Sequence, residues 1–251
     1  MLRQIWKSAP LSQMSSFASF RRTRKGSVPN LTITNARTVL DFANPLSYNG
    51  TGATVNDLSG NGNNASLTNS PAFSKVNGGY LTFNGVNTYG NLSAAIGNNP
   101  LTISFWIKTL SSAGQRVISK DSGGAGSRDW FVQMSTTSVN FGAWNASNTL
   151  YSTSVTATFN SNIWYHVTAT YDNVLTNTIK IFINGIEASS SGITGAIHHS
   201  AAVGVEIGKG PFGEYLNASL GQLSVYTSAT EVLSPAEIWN NFNANRSRYG
   251  I

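Results

Sequence analysis

The chain has no cysteine, which excludes disulfide staples, thiolate nucleophiles and thiolate-bound metals and leaves packing, or oligomerisation, to supply stability. Charge is scarce as well: only 10% of the 251 residues are Asp, Glu, Lys or Arg. No apolar run approaches the roughly 18 residues that a bilayer-spanning helix needs, so no membrane partner is expected. A Ser-centred nucleophile elbow and a phosphate-binding glycine motif are missing too. What is present is 24 glycines, 40% hydrophobic residues and an excess of Asn, Ser and Thr. That composition suits many short strands joined by tight turns around one large core.

Acidic residues are absent from the first 37 positions, which carry seven basic side chains (Arg3, Lys7, Arg21, Arg22, Arg24, Lys25 and Arg37) for a charge of +7. The other 214 residues hold nine basic and ten acidic side chains, for −1. The basic character therefore belongs to an arm, residues 1–36, while the folded part, residues 37–251, is near neutral. Within the arm, Leu2, Ile5, Trp6, Leu11, Met14, Phe17 and Phe20 recur at spacings that make one anchoring face on a partner, and Arg21 to Lys25 suit an acidic surface. A solvated tail and an Arg- and Ser-rich targeting peptide are the competing readings. Nucleic acid is not expected as a partner, because one basic cluster has no further basic stripe beside it.

Three hydrophobic runs predict strands. In Thr102–Thr109, Ile103, Phe105 and Ile107 share one face and Ser104, Trp106 and Lys108 the other. In Trp164–Asp172, Tyr165, Val167, Ala169 and Tyr171 share a face. Ile179, Ile181 and Ile183 do so in the third, which ends in Asn184-Gly185, the dipeptide of a type I′ turn, with Ile186-Glu187-Ala188 opening the return strand. Near the C-terminus, Ser234, Pro235 and Glu237 read as a capping box. A short helix follows, with Ile238, Trp239 and Phe242 as its expected buried face.

The succession Asp57-Leu-Ser-Gly-Asn-Gly-Asn63, Phe83-Asn-Gly-Val-Asn-Thr-Tyr89, then the Ser-Phe-Trp-Ile, Trp-Tyr-His-Val and Ile-Phe-Ile-Asn-Gly strands, resembles the concanavalin A-like, laminin-G-like jelly-roll family over roughly residues 38–245. The resemblance implies an all-β, two-sheet antiparallel jelly-roll sandwich, here with an extended N-terminal arm and a short C-terminal helix. The ending Asn241-Phe-Asn-Ala through Arg246-Ser-Arg-Tyr-Gly-Ile251 resembles versions of the domain in structural proteins of tailed bacteriophages. It implies a place on the exterior of a virion, with a major capsid protein or another virion protein as partner and a homotrimer as the assembly.

Enzymes of the family carry catalytic carboxylates on one strand as Glu-x-Asp-x-Glu or a close variant. Here the ten acidic residues are scattered, none two apart, so no enzyme is expected. His166 reads as a packing or surface residue, and adjacent His198 and His199 should point apart in a Gly- and Ala-rich loop. Relatives often bind calcium, for which Asp57, Asn61, Asn63 and Asn87 are the candidates, although Asn and Gly in these turns are also explained by turn geometry and the family's usual acid is Thr88 here. For a host glycan, Trp144 and Tyr151, with Asn145 beside them, are the candidate exposed aromatics, while Trp106, Trp130, Trp164 and Trp239 read as core. The functional expectation is a non-enzymatic virion protein that decorates the capsid through its arm. The alternatives are a tail or fibre component binding host glycan, a free lectin, and a glycan-cleaving enzyme.

Overall fold

The computed structural model describes residues 36–93, 96–97 and 100–251. The residues expected to anchor the arm, Leu2, Ile5, Trp6, Phe17, Phe20, Arg21, Arg22, Arg24 and Lys25, lie outside them. The first strands are β1 (Ala36–Asp41), β2 (Thr54–Val55), β3 (Ala65–Thr68), β4 (Ala72–Ser74), β5 (Tyr80–Asn84) and β6 (Tyr89–Leu92). The central ones are β7 (Leu101–Thr109), β8 (Gln115–Asp121), β9 (Arg128–Met134), β10 (Ser138–Trp144) and β11 (Leu150–Thr156). The last are β12 (Tyr165–Asp172), β13 (Thr178–Ile183), β14 (Ile186–Gly192), β15 (Glu206–Ile207) and β16 (Asn217–Thr227), before helix α1 (Pro235–Asn245).

Two antiparallel sheets face each other. The first runs β14-β13-β12-β7-β16-β5-β4, with β1 on the far part of β16; the second runs β11-β10-β9-β8-β15-β6-β3-β2. Strand order jumps between distant parts of the chain, as a jelly roll requires. The period of two decides which side chains meet between the sheets. Ile103, Phe105 and Ile107 of β7, Val167, Ala169 and Tyr171 of β12 and Ile179 and Ile181 of β13 enter the shared core, as the parity predicts. Trp130, Val132 and Met134 of β9 enter it from the opposite sheet.

The Asn184-Gly185 turn forms as expected, both residues at positive φ (51° and 80°) between β13 and β14. The two turn motifs have local work to do. Asn84 Oδ1 accepts from the N–H groups of Val86, Asn87 and Thr88, which closes the turn that carries the chain from β5 in the first sheet to β6 in the second, so the expected pairing across this turn does not form. Asp57 fastens its turn to β1, with Oδ1 accepting from Val39 N–H at 2.9 Å and Oδ2 from Asn63 N–H at 3.0 Å.

The outer face of the first sheet is covered. The capping box forms, Ser234 N–H donating to Glu237 Oε2 and Glu237 N–H to Ser234 Oγ, so α1 starts where the sequence predicts. The helix buries Ile238, Asn241, Phe242 and Asn245. Trp239 departs from expectation and is 43% exposed. Its position, one residue off the 238/241/242/245 stripe, turns it over the hairpin tip at Gly185, where any Cβ would lie 2.8 Å from the ring. Trp106 and Trp164 are buried as expected, but on this outer face and not between the sheets: Trp106 stacks on Tyr249 at 4.2 Å and Phe242 at 5.7 Å. His166 packs beside Trp106, 5.1 Å between ring centroids.

Candidate functional site

The second sheet leaves its outer face uncovered by any helix among the described residues, and a cross-strand row lies along it. Register aligns Asn91 of β6, Glu206 of β15, Ser119 of β8, Phe131 of β9, Gly142 of β10 and Ser152 of β11. Gly142 is needed because the Phe131 ring lies across it: a Cβ there would sit 2.4 Å from ring carbons. Charged and aromatic side chains then alternate. The Arg116 guanidinium stacks on Phe131 at 3.5 Å, Phe131 meets Trp144 at 5.3 Å, and Arg128 lies 5.6 Å from both Trp144 and Phe212.

At the end of this ladder opens a cleft of about 600 Å³, lined by strand residues Asn91, Asp121 and Glu206 and by loop residues including Ser127, Ser200 and Lys209. Asp121 lies 3.8 Å from both Arg116 and Arg128 and accepts from Gly123 N–H at 2.8 Å. Burial pushes its carboxyl up from the ordinary value, against the pull of that N–H and the two guanidinium groups; burial likewise lowers Arg116. Glu206 pairs with Lys209 at 2.7 Å, and that hydrogen bond holds the Lys209 ammonium above its ordinary value. Lys209 also sits 4.6 Å over the Tyr89 ring. Pro211 also lines the cleft, and Phe212, the next residue, is 69% exposed in a turn closed by Phe212 N–H donating to Glu214 Oε2 at 2.9 Å.

One wall of the cleft is held from inside. Lys120 faces inward beside Trp130, both fully buried, because it pairs with Trp130 across β8 and β9. Its ammonium donates to Asp129 Oδ2 at 2.8 Å and to the Ile96 carbonyl at 3.0 Å, and lies 3.1 Å from His199 Nδ1. Asp129 Oδ1 meets His198 Nδ1 at 2.9 Å and accepts from Ser200 N–H at 3.1 Å. The expectation that the two histidines point apart is corrected: both engage one buried ion pair, His198 through the carboxylate and His199 through the ammonium. Tyr171 pins the same loop, accepting from Ile197 N–H and donating to the Gly195 carbonyl.

The other predicted residues disperse. Trp144 ends β10 instead of lying in a loop and is 7% exposed, a support beneath Arg128. Tyr151 pairs with Ala143 and so faces the core side, opposite Trp144; the two rings form no common platform. Asn145 closes the β10–β11 turn, its Oδ1 accepting from Ser147 and Thr149 N–H. Asp57, Asn61 and Asn63 share one turn, in which Asn61 and Asn63 donate to the Ala36 and Arg37 carbonyls. Both Asp57 oxygens receive protein donors there. Asn87 lies in the other turn, bonded to Asn84. The four do not converge, and among the described residues no group of three His, Cys, Asp or Glu is arranged to hold a metal ion. His166 is a packing residue, as expected: its Nε2 lies 2.9 Å from Ser104 Oγ, and burial lowers it to about 3.

Sequence reasoning missed Phe212, Asp121, Glu206 and Lys209. The Gly210-Pro-Phe-Gly213 stretch was a usable signal for Phe212, an aromatic ring in a segment that cannot continue a strand. The charged residues had no such signal, since three loops and strands distant in the chain bring them together.

Solved structures with this fold include the binding domain of a paraclostridial mosquitocidal protein (16% identity, TM-score 0.66, covering 84% of this chain and 52% of that one). The receptor-binding domain of botulinum neurotoxin type G is similar (17% identity, TM-score 0.63, 83% and 51%). So is the botulinum neurotoxin serotype D ligand-binding domain in complex with N-acetylneuraminic acid (15% identity, TM-score 0.62, 84% and 51%). The chain spans about half the length of these structures, and at such identities the likeness shows the fold. No curated protein sequence matches it. Residues 77–239, from the turn before β5 into α1, match a family described as the concanavalin A-like lectin/glucanases superfamily, and the chain, with its two-sheet jelly roll, belongs to that superfamily.

Proposed function

We propose that this chain is a non-enzymatic, lectin-like binding module that engages glycan in the cleft on the outer face of its second sheet. The cleft carries this reading: an exposed aromatic ring, Phe212, follows Pro211 of the lining of a concavity whose polar groups are fixed by salt bridges and strand register. A pyranose uses such a site through its apolar face on the ring and its hydroxyls on the polar groups. The carboxylates are tied to cations, Asp121 to two arginines and Glu206 to Lys209, which suits accepting hydroxyl protons better than acid–base cleavage. Phe212→Ala should abolish retention of the protein on a glycan surface while leaving its circular dichroism unchanged; retention equal to the parent's would refute the cleft as the site.

A second reading concerns where the module is displayed. The partition of charge, +7 over the first 37 residues against −1 over the rest, favours a virion exterior with the arm seated on a capsid protein and the sandwich projecting. Deletion of residues 1–36 should leave a folded sandwich that no longer joins particles. Incorporation at the parent level would overturn this placement.

A further inference from the structure

The charged residues that line the cleft are Asp121, Glu206 and Lys209, and each has a partner of opposite sign within the protein. Asp121 stands between Arg116 and Arg128, Arg116 also lies 4.0 Å from Glu214, and Glu206 is bound to Lys209. Lys209 is held further by the Tyr89 ring, and Arg116 and Arg128 by Phe131, Trp144 and Phe212. We infer that the cleft selects an uncharged, hydroxyl-rich saccharide and discriminates against acidic ones; this rests on the glycan reading above.

The physical reason is compensation. A carboxylate or sulfate entering the cleft would find, among the described residues that line it, no cation without a partner, and to gain one it would have to separate Lys209 from Glu206 or a guanidinium from Asp121. Either way a carboxylate is left beside the incoming anion, in a partly desolvated cleft where like charges repel strongly. A neutral sugar makes no such demand. Its hydroxyls donate to the free lone pairs of Asp121 and Glu206, carboxylates already held in place by their cations, and accept from Ser127 and Asn91, which line the same space. The cavity is large enough for a short oligosaccharide. The near-neutral folded part also sets up no long-range attraction for polyanions, so encounter with an acidic polysaccharide is not accelerated.

The test is affinity electrophoresis of the full chain through gels containing neutral polysaccharides (dextran, galactomannan, laminarin) or acidic ones (alginate, polygalacturonate, polysialic acid), at low and high salt. The arm's basic cluster is controlled by a variant with Arg21, Arg22, Arg24 and Lys25 changed to Gln. The expected result is retardation by at least one neutral polymer, insensitive to salt, unchanged by the arm variant and at least tenfold weaker in Phe212→Ala. Retardation by an acidic polymer that the arm variant keeps, that salt weakens and that Phe212→Ala abolishes would overturn the selectivity and leave the glycan reading standing. No retardation in either panel, or retardation that Phe212→Ala leaves intact, would overturn the glycan reading and the selectivity with it.

Discussion

On the outer face of the first sheet, Trp106 is stacked beneath Phe242 and Tyr249 and is 1% exposed, with His166 beside it. On the outer face of the second sheet, Phe131 and Trp144 are covered by the side chains of Arg116 and Arg128. Both faces carry aromatic residues on strands of the same antiparallel kind. The difference lies in the cover. A C-terminal helix turns the first face into a second small core, in which Asn241 bonds Tyr226 and Asn245 bonds Gln222. A layer of salt-bridged cations leaves the second face polar and open at one end, where the cleft forms. An arginine can cover an aromatic ring with its planar head and still present charge to solvent, which a helix cannot do.

Breaking each cover should have effects of different size. Trp106→Ala removes the ring to which α1 docks and should destabilise the protein by about 3–5 kcal/mol, read as a fall in the denaturation midpoint. A loss under about 1 kcal/mol would mean that the helix is not anchored there. Lys120→Met leaves Asp129 buried with its main cation gone, a change that typically costs about 3–5 kcal/mol. Because Asp129 also holds Ser200 and His198, hydrogen exchange in residues 195–204 should speed up more than in β7 or β12. Equal acceleration throughout would show that the pair supports the whole sandwich and not the cleft wall.

A smaller, graded effect comes from His166. Burial lowers it from 6.5 to about 3 in the folded protein, so between those values the unfolded chain binds a proton that the folded chain refuses. Stability is therefore full above pH about 6.5 and declines as pH falls toward 3, by up to about 1.4 kcal/mol per unit. His166→Gln keeps a partner for Ser104 and should flatten this part of the pH–stability curve; an unchanged slope would assign it to other groups. The smallest effect belongs to the open face. Phe212→Ala should alter stability by no more than about 0.5 kcal/mol, since its ring is mostly in water, and its loss should be felt only in binding.

Much of the scaffold was legible. The alternation in β7, β12 and β13, the Asn184-Gly185 turn and the capping box at Ser234 all follow from local chemistry: strand parity, positive φ, and a helix terminus that needs acceptors. The candidate site was not legible to the same degree. Trp144 reads as a loop aromatic because Asn145-Ala-Ser-Asn follows it, yet it is the last residue of β10 and takes its cover from Arg128, sixteen positions away. His198 and His199 look inert in sequence because alternation predicts opposite directions, a rule that holds for strands and not for the irregular loop they occupy.

By itself the sequence determined the fold class, the faces of its central strands, the turns between them and the gathering of basic charge in the first 37 residues, since the structural features among these depend on residues adjacent or two to four apart. Only the tertiary structure decided which outer face is closed by the helix, that Lys120 turns inward to Asp129, and that Asp121, Glu206, Lys209 and Pro211 border one cleft. Those outcomes depend on pairings between strands far apart in the chain, where register and not local propensity determines which side chains meet.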